Sequence, residues 1–282
     1  MRNLSKKLFG FSLILFIVGV CGMVWLFLRQ ENFAYSLKPI KEERVMEQEI
    51  KAIDLKSDTA DIAIIPSKLP KATVRMVGEV SEQQYEILEF KSEIAPDGTL
   101  VVVLRERLHV NMFYQRNGEI KLEVELPEKV YENLQIETMS GDIRSGKLSA
   151  KYAKVISSTG DVEVAGYEGQ ELDVRTDTGD INLTDIRSAV LIDSSTGAID
   201  KLTMPELTDH VSIRTDTGDI RVDIGKQPTA ATLEVQTDTG GIETTWQNLS
   251  YERKEDTLVN ASIGTGGPTM SVRSSTGDVR IQ

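Results

Sequence analysis

Through most of the chain apolar residues alternate with polar ones at a spacing of two, the mark of strands with one buried face. Leu172, Val174, Thr176 and Thr178 fall on one such face. Beyond Gly179 the apolar face resumes at Ile181 and Leu183. From Thr178 to Ile181 is an odd number of steps, so the phase breaks at the glycine. That predicts a bend with backbone angles few residues other than glycine adopt. The same register recurs at Val211, Ile213, Thr215 and Thr217, then Ile220, Val222 and Ile224. It recurs again at Leu233, Val235, Thr237 and Thr239, then Ile242, and at Met270, Val272, Ser274 and Thr276, then Val279 and Ile281. Ile53, Leu55, Ser57 and Thr59, then Ile62 and Ile64, fit as well.

The breaks share one motif. Thr176-Asp177-Thr178-Gly179-Asp180-Ile181 is identical to Thr215–Ile220, and Ser157–Val162 and Ser274–Val279 are close copies. Variants lie at Thr138–Ile143, Ser194–Ile199 and Thr237–Ile242, with a degenerate copy at Ser57–Ile62. The glycines at 141, 160, 179, 197, 218 and 240 lie 19, 19, 18, 21 and 22 residues apart, and Gly277 follows after 37. Gly266 reads as a divergent copy inside that last interval. A β pattern with this period is too short for a propeller blade and fits one coil of a solenoid. Each coil then has one strand before the glycine and one after it, and coils stack in parallel so that apolar rows form ladders. The Ser/Thr positions are expected to stack at the turn and share hydroxyl hydrogen bonds. An antiparallel hairpin array is the alternative, but two-residue hairpins prefer Asn-Gly or Asp-Gly, whereas Thr precedes Gly here.

The fold class expected is therefore all-β: a parallel, β-helix-like solenoid over 134–282 behind a β-rich part over 49–133 that holds the first copy. The roughly eighty residues between the first two copies still alternate, as in Leu100–Leu104, and Pro66, Pro70, Pro96 and Pro127 punctuate them. Asp97-Gly98 and Asn117-Gly118 are hairpin signals. This stretch reads as a cap or small sandwich packed on the first coil.

The amino-terminal end follows a different rule. Residues 8–28 carry no charge and are mostly Leu, Ile, Val, Phe and Gly. As a helix they rise about 30 Å, enough to cross a bilayer core. A cleaved signal peptide has a shorter apolar region and a small-x-small site, and Arg29-Gln30-Glu31-Asn32-Phe33 offers none. The expectation is one retained transmembrane helix, with residues 1–7 cytoplasmic, 29–48 a polar stalk, and the rest extracytoplasmic. Arg2, Lys6 and Lys7 before the span support that orientation. Cys21, the only cysteine, sits within the helix, so no intrachain disulfide can form and stability rests on packing. Beyond the span 29 Lys and Arg face 44 Asp and Glu, a balance of −15. That argues against nucleic acid or anionic lipid held on a basic surface.

An anchor, then the run Gly118-Glu119-Ile120-Lys121-Leu122-Glu123-Val124-Glu125-Leu126-Pro127, then serial Thr-Gly-Asp-Ile/Val copies form a recognisable combination. It resembles the bacterial putative-adhesin family of β-repeat proteins, and within it the LiaG-like membrane proteins encoded with cell-envelope stress systems. The resemblance covers about 50–282 plus the anchor. It implies a parallel β-helix-like fold outside the cell membrane and brings no catalytic residues.

Candidate chemistry is sparse. His109 and His210 are the two histidines, and neither has a partner legible in the sequence. No nucleophile elbow, phosphate loop or metal-ligand spacing occurs, so no catalytic, cofactor-binding or metal residue is assigned and no cofactor is expected. The carboxylates in register remain: Asp161, Asp180 and Asp219 in one row, Asp177, Asp216 and Asp238 in another. Stacked coils bring such groups within reach of a Ca²⁺ ion. The alternative is that they are turn formers bonded to backbone. The first row is interrupted by Ala198 and Gly241. The function expected is a non-enzymatic, membrane-anchored surface-binding module of the cell envelope, its partner a protein or an envelope polymer. An accessory regulator of envelope-stress signalling working through a membrane partner and a β-helix carbohydrate-active enzyme are the alternatives.

Overall fold

A computed structural model of the chain describes residues 12–22, 24–25, 37–107 and 118–282. The expected cytoplasmic segment 1–7, residues 29–36 of the stalk, His109 and Asn117 lie outside the described residues. Residues 12–22 and 24–25 are helical. Among the described residues no helix is long and apolar enough to cross a membrane.

The body is a stack of coils with two walls. The first wall holds the strands that run into the motif turns. Its parallel order is Thr99–Glu106, Ala52–Ser57, Val130–Thr138, Leu148–Ser157, then the last parts of Val162–Thr178 and Ile181–Thr196, then Val211–Thr217, Thr269–Thr276 and Ala231–Thr239. The second wall holds the strands that leave the turns. From Ile120–Pro127 it passes through Asp61–Ser67 and Ile143–Ser145 to the first parts of Val162–Thr178 and Ile181–Thr196. It then continues through Ile199–Glu206, Ile220–Lys226 and Val279–Ile281 to Ile242–Thr244. The parallel pairing of corresponding repeat positions settles the choice between solenoid and hairpin array.

Alternation explains why these segments are strands and why they stack. Inward side chains of successive coils meet in straight rows: Leu55, Ile136, Val155, Val174, Ile192, Ile213, Val272 and Val235 in the first wall are all buried. Ile62, Ile143, Val162, Ile181, Ile199, Ile220 and Val279 form the matching row of the second. Each such side chain contributes roughly 1.5–3 kcal/mol on burial. Opposite the motif turns, the chain rounds a second corner where tyrosines act as posts. The Tyr167 hydroxyl lies 2.8 Å from the Ala150 carbonyl oxygen and 2.9 Å from that of Glu171. The Tyr131 hydroxyl donates to Pro127 at 2.8 Å.

Both ends of the stack are finished by antiparallel strands. At one end Ala72–Val80 pairs antiparallel with Ile120–Pro127 and Lys38–Met46 pairs antiparallel with Ala72–Val80. Leu88–Ile94 closes the first wall against Thr99–Glu106 through the Asp97-Gly98 turn, where Asp97 accepts from the Thr99 N–H at 2.9 Å. Arg44 joins the two closures, its guanidinium 4.3 Å from the Phe90 ring and bonded to the Phe90 carbonyl at 3.1 Å. At the other end Leu258–Ile263 pairs antiparallel with Ala231–Thr239, Ser250–Lys254 pairs antiparallel with Leu258–Ile263, and Trp246 is buried.

Three expectations are corrected. Lys38–Met46, assigned to the stalk, is a strand of the stack, its half-buried positions Ile40, Glu42, Arg44 and Met46 falling on one face. The region between the first two copies is no separate sandwich. Thr99–Glu106 and Ile120–Pro127 extend the two walls directly, and the Ala60 coil stacks straight onto the Gly141 coil. Gly266 is not a coil turn but part of an exposed connection over 264–267. The coil that ends the chain, at Gly277, lies between the Gly218 and Gly240 coils.

Candidate functional site

The features with a repeated chemical signature sit along the ridge of motif turns. The strands must reverse there without widening the stack, so successive turns lie almost in contact. A methyl group on Gly160 would overlap the Gly141 carbonyl, and one on Gly218 the Gly197 carbonyl. Gly218 also has φ of +148°, the conformation that the broken phase predicted. The repeated glycine is therefore demanded by close approach of backbone to backbone.

The aspartate that follows each glycine serves the next coil. Asp61 accepts from the Asp142 N–H (3.1 Å), Asp142 from Asp161 (3.0 Å), Asp161 from Asp180 (2.9 Å) and Asp180 from Ala198 (2.8 Å). Beyond Ala198 the pattern restarts: Asp219 accepts from Asp278 and Asp278 from Gly241, both at 2.9 Å. A carboxylate aimed at a backbone N–H makes a charge-assisted bond stronger than one between neutral groups. Gly241 lies in the outermost coil, where a carboxylate would have no further turn to hold. Ala198 does have a coil above it, and the structure offers no account of its missing carboxylate. Of the two expectations for Asp161, Asp180 and Asp219, backbone bonding describes their geometry. Among the described residues no three of His, Cys, Asp or Glu converge as metal ligands. Asp177, Asp216 and Asp238 are exposed, with Asp216 held 3.8 Å from Arg214.

The hydroxyl row is buried as expected, at Ser57, Thr138, Ser157, Thr176, Ser194, Thr215, Ser274 and Thr237. Its hydrogen bonds run to backbone rather than between hydroxyls. In the first coils the oxygen accepts within its own turn: Ser57 from Ala60 (3.0 Å), Thr138 from Gly141 (3.1 Å), Ser157 from Gly160 (2.8 Å). In later coils it donates to the glycine carbonyl of the coil below: Thr215 to Gly197 (3.4 Å), Ser274 to Gly218 (3.3 Å), Thr237 to Gly277 (3.1 Å). Between these groups, the hydroxyls of Thr176 and Ser194 have no hydrogen-bond partner among the described residues.

The remaining groups do not gather into a reactive set. His210 is exposed, just before Val211–Thr217, and its carbonyl accepts from the Val190 N–H at 3.0 Å. Arg75 is gripped by Glu125 and, at 3.2 Å, by Glu123; the bond to Glu125 above all holds its pKa above the usual arginine range. Both glutamates belong to the Ile120–Pro127 run, whose outward residues thus clamp the antiparallel closure to the parallel stack. Burial pushes the Tyr131 phenol up to about 12. Burial, and then the nearby Glu171 charge, raise Tyr167 further. One cleft, about 340 Å³, opens beside Tyr131 between Pro66, Pro127, Val130, Lys147 and Leu148. Sequence reasoning missed the Tyr131 and Tyr167 posts and the Trp246 plug, because a lone aromatic in an alternating run carries no mark of the corner it fills.

A family profile described as Toastrack DUF4097 matches residues 106–282. No curated protein matches the chain. Among solved structures, one described as a putative adhesin from Bacteroides fragilis is similar at 16% identity. That comparison covers 88% of this chain and 99% of the other, with a TM-score of 0.47. A putative cell adhesion protein from Clostridium sporogenes is similar at 14% identity, covering 86% and 99%, with a TM-score of 0.37. A putative lipid binding protein from Parabacteroides distasonis is similar at 9% identity, covering 86% and 97%, with a TM-score of 0.33.

Proposed function

The chain belongs to the Toastrack DUF4097 family, and from that premise we propose that it is a non-enzymatic binding module of the bacterial cell envelope. In this reading residues 8–28 anchor it in the cell membrane with the amino terminus inside. The coil stack stands outside as a rigid display surface, in the manner of LiaG-like proteins.

One observation carries the reading: the ridge groups that repeat from coil to coil are spent on the stack itself. Glycines are set by backbone contact, and the Asp row is bonded to neighbouring N–H groups. What faces outward is two broad walls with side chains in fixed rows, such as Lys154, Asp173 and Leu191 beside Ile156, Arg175 and Asp193. Repeat stacks of this kind offer extended surfaces to a protein or polymer.

The test is in-cell crosslinking of the tagged full-length protein, followed by mass spectrometry of what it captures. Envelope polymer or surface proteins are the expected catch. Capture of one membrane sensor or transporter alone would replace display with regulation. Release of reducing or unsaturated ends from envelope polysaccharide by the purified protein would overturn the non-enzymatic reading.

A further inference from the structure

Charged residues that face one another across the coils follow a rule. In register across the first wall stand Lys56 and Glu137, Lys154 and Asp173, Arg175 and Asp193; across the second, Asp61 and Lys121, Arg144 and Glu163. Each of these pairs sets opposite signs together. Among the described residues the rule breaks twice, both times with two arginines and both times where the Gly218 and Gly277 coils meet. Arg214 faces Arg273 in the first wall, and Arg221 faces Arg280 in the second. Like charges directly opposite destabilise a strand pair.

The second-wall pair is neutralised from within: Arg221 lies 3.7 Å from Asp200 and Arg280 lies 3.2 Å from Glu243. The first-wall pair is not. Arg214 has Asp193 in register on its far side, but Asp193 also faces Arg175, and the ion pair of Arg214 with Asp216 is long at 3.8 Å. Arg273 faces Gln236 on its other side and has no ion-pair partner among the described residues. Both arginines are exposed. We propose that Arg214 and Arg273 form a binding site for the phosphoryl group of a phosphorylated sugar or polyol. The site rests on the reading of the walls as display surfaces and names what one of them takes.

The chemistry follows from the spacing. Neighbouring strands stand about 4.8 Å apart, so the two guanidinium groups reach one point from both sides. The two oxygens of a carboxylate lie in one plane and fill one guanidinium fork. The terminal oxygens of a phosphoryl group are tetrahedral and turn toward two forks at once. One such group replaces a repulsion by two sets of charge-assisted bonds. Two residues before the arginines, on the same face, Ser212 and Ser271 are also in register. With Gln236 and Glu234, the register partners of Arg273 and Ser271, they offer hydroxyl, amide and carboxylate groups to the hydroxyls of a sugar. The acidic balance of the rest of the chain confines the contact to this point and disfavours lying flat on an anionic membrane.

The test uses the full-length protein in a polyoxyethylene detergent and follows binding of glucose 1-phosphate by calorimetry. The native chain should bind it saturably and should not bind glucose. Arg273→Gln and Arg214→Gln should each weaken binding about tenfold or more. Arg221→Gln, which alters the neutralised pair, should bind as the native chain does. Arg273→Gln also removes a repulsion, so its melting temperature should hold or rise, and lost binding is then not lost folding. No binding by the native chain, undiminished binding by Arg273→Gln, or an equal loss in Arg221→Gln overturns the proposal. Binding confined to phosphatidylglycerol vesicles overturns it as well. Glucose 1-phosphate and a polymer of phosphodiester-linked polyol units, compared at equal phosphate, separate a free ester from a polymer as the source by which binds tighter. The crosslinking catch reads the display function separately. An unchanged catch from Arg273→Gln, with no glucose 1-phosphate bound by the native chain, would sink this site and leave the display reading standing.

Discussion

Ser157–Val162 and Ser274–Val279 have the same six residues and build two different turns. In the first, Gly160 has a negative φ and its N–H is held by the Ser157 hydroxyl of its own coil. In the second, Gly277 has φ of +147°, its N–H reaches the Thr239 carbonyl of the neighbouring coil, and the Ser274 hydroxyl donates to Gly218. The stack divides accordingly: turns that satisfy themselves up to Gly160, turns that satisfy one another from Gly179 onward. Local sequence therefore does not choose the turn. The neighbouring coil does, and glycine is the residue that accepts either answer. The aspartate row runs through both regions with one geometry, so it is the common element that keeps the coils in register while the hydroxyl changes roles.

The largest test of this comparison is the glycine. Gly160→Ala and Gly218→Ala both collide with a carbonyl of the coil below, and Gly218→Ala adds a forbidden φ. Each is expected to cost on the order of 3–5 kcal/mol in denaturant unfolding. Gly241→Ala, whose nearest neighbour would be the Asp278 carboxylate at 3.8 Å, should change little. Next comes the hydroxyl. Ser157→Ala strands a buried N–H and should cost about 1–3 kcal/mol, whereas Ser274→Ala removes one long bond and should cost about 0.5–1 kcal/mol. Equal losses would mean that the two turns are not distinct.

A smaller and opposite effect is expected at the one break in the aspartate row. Ala198→Asp offers the Asp219 N–H the acceptor that its counterparts have, and should raise stability by about 0.5–1 kcal/mol. The last test changes no residue. Tyr131 and Tyr167 brace the far corner, one in each region, and both titrate above an unfolded tyrosine. A raised phenol pKa in the folded state stabilises the protein fully below about pH 10 and loses that contribution as pH climbs toward 12. Phenolate absorbance should show these two tyrosines ionising above the ordinary tyrosine range, with stability falling across the same interval.

Much of this was legible in the chain. The phase break at glycine, the coil period, the parallel stacking and the buried Ser/Thr row all follow from alternation around Thr-Gly-Asp. The order of the coils was not, because Met270–Ile281 carries the same pattern as every other coil and nothing local says where it inserts. Lys38–Met46 escaped because a closing strand buries only part of one face, so Glu42 and Arg44 occupy positions where an inner strand would have valine. The purpose of the aspartates was half legible: backbone bonding was one of two readings, and only the stacking shows that the N–H belongs to the next coil.

The two antiparallel closures have a consequence for distance. The first wall has twelve strands from Leu88–Ile94 to Ser250–Lys254, and strands lie about 4.8 Å apart, so the closures stand roughly 50 Å from each other. In the first wall neither edge is left as a bare parallel strand on which another coil could grow. The protein thus behaves as a gauge block: whatever is fixed at Lys38 and whatever meets the Ser250–Lys254 hairpin are held at a set separation. Adding or removing one coil would change that separation in a single step of about 4.8 Å.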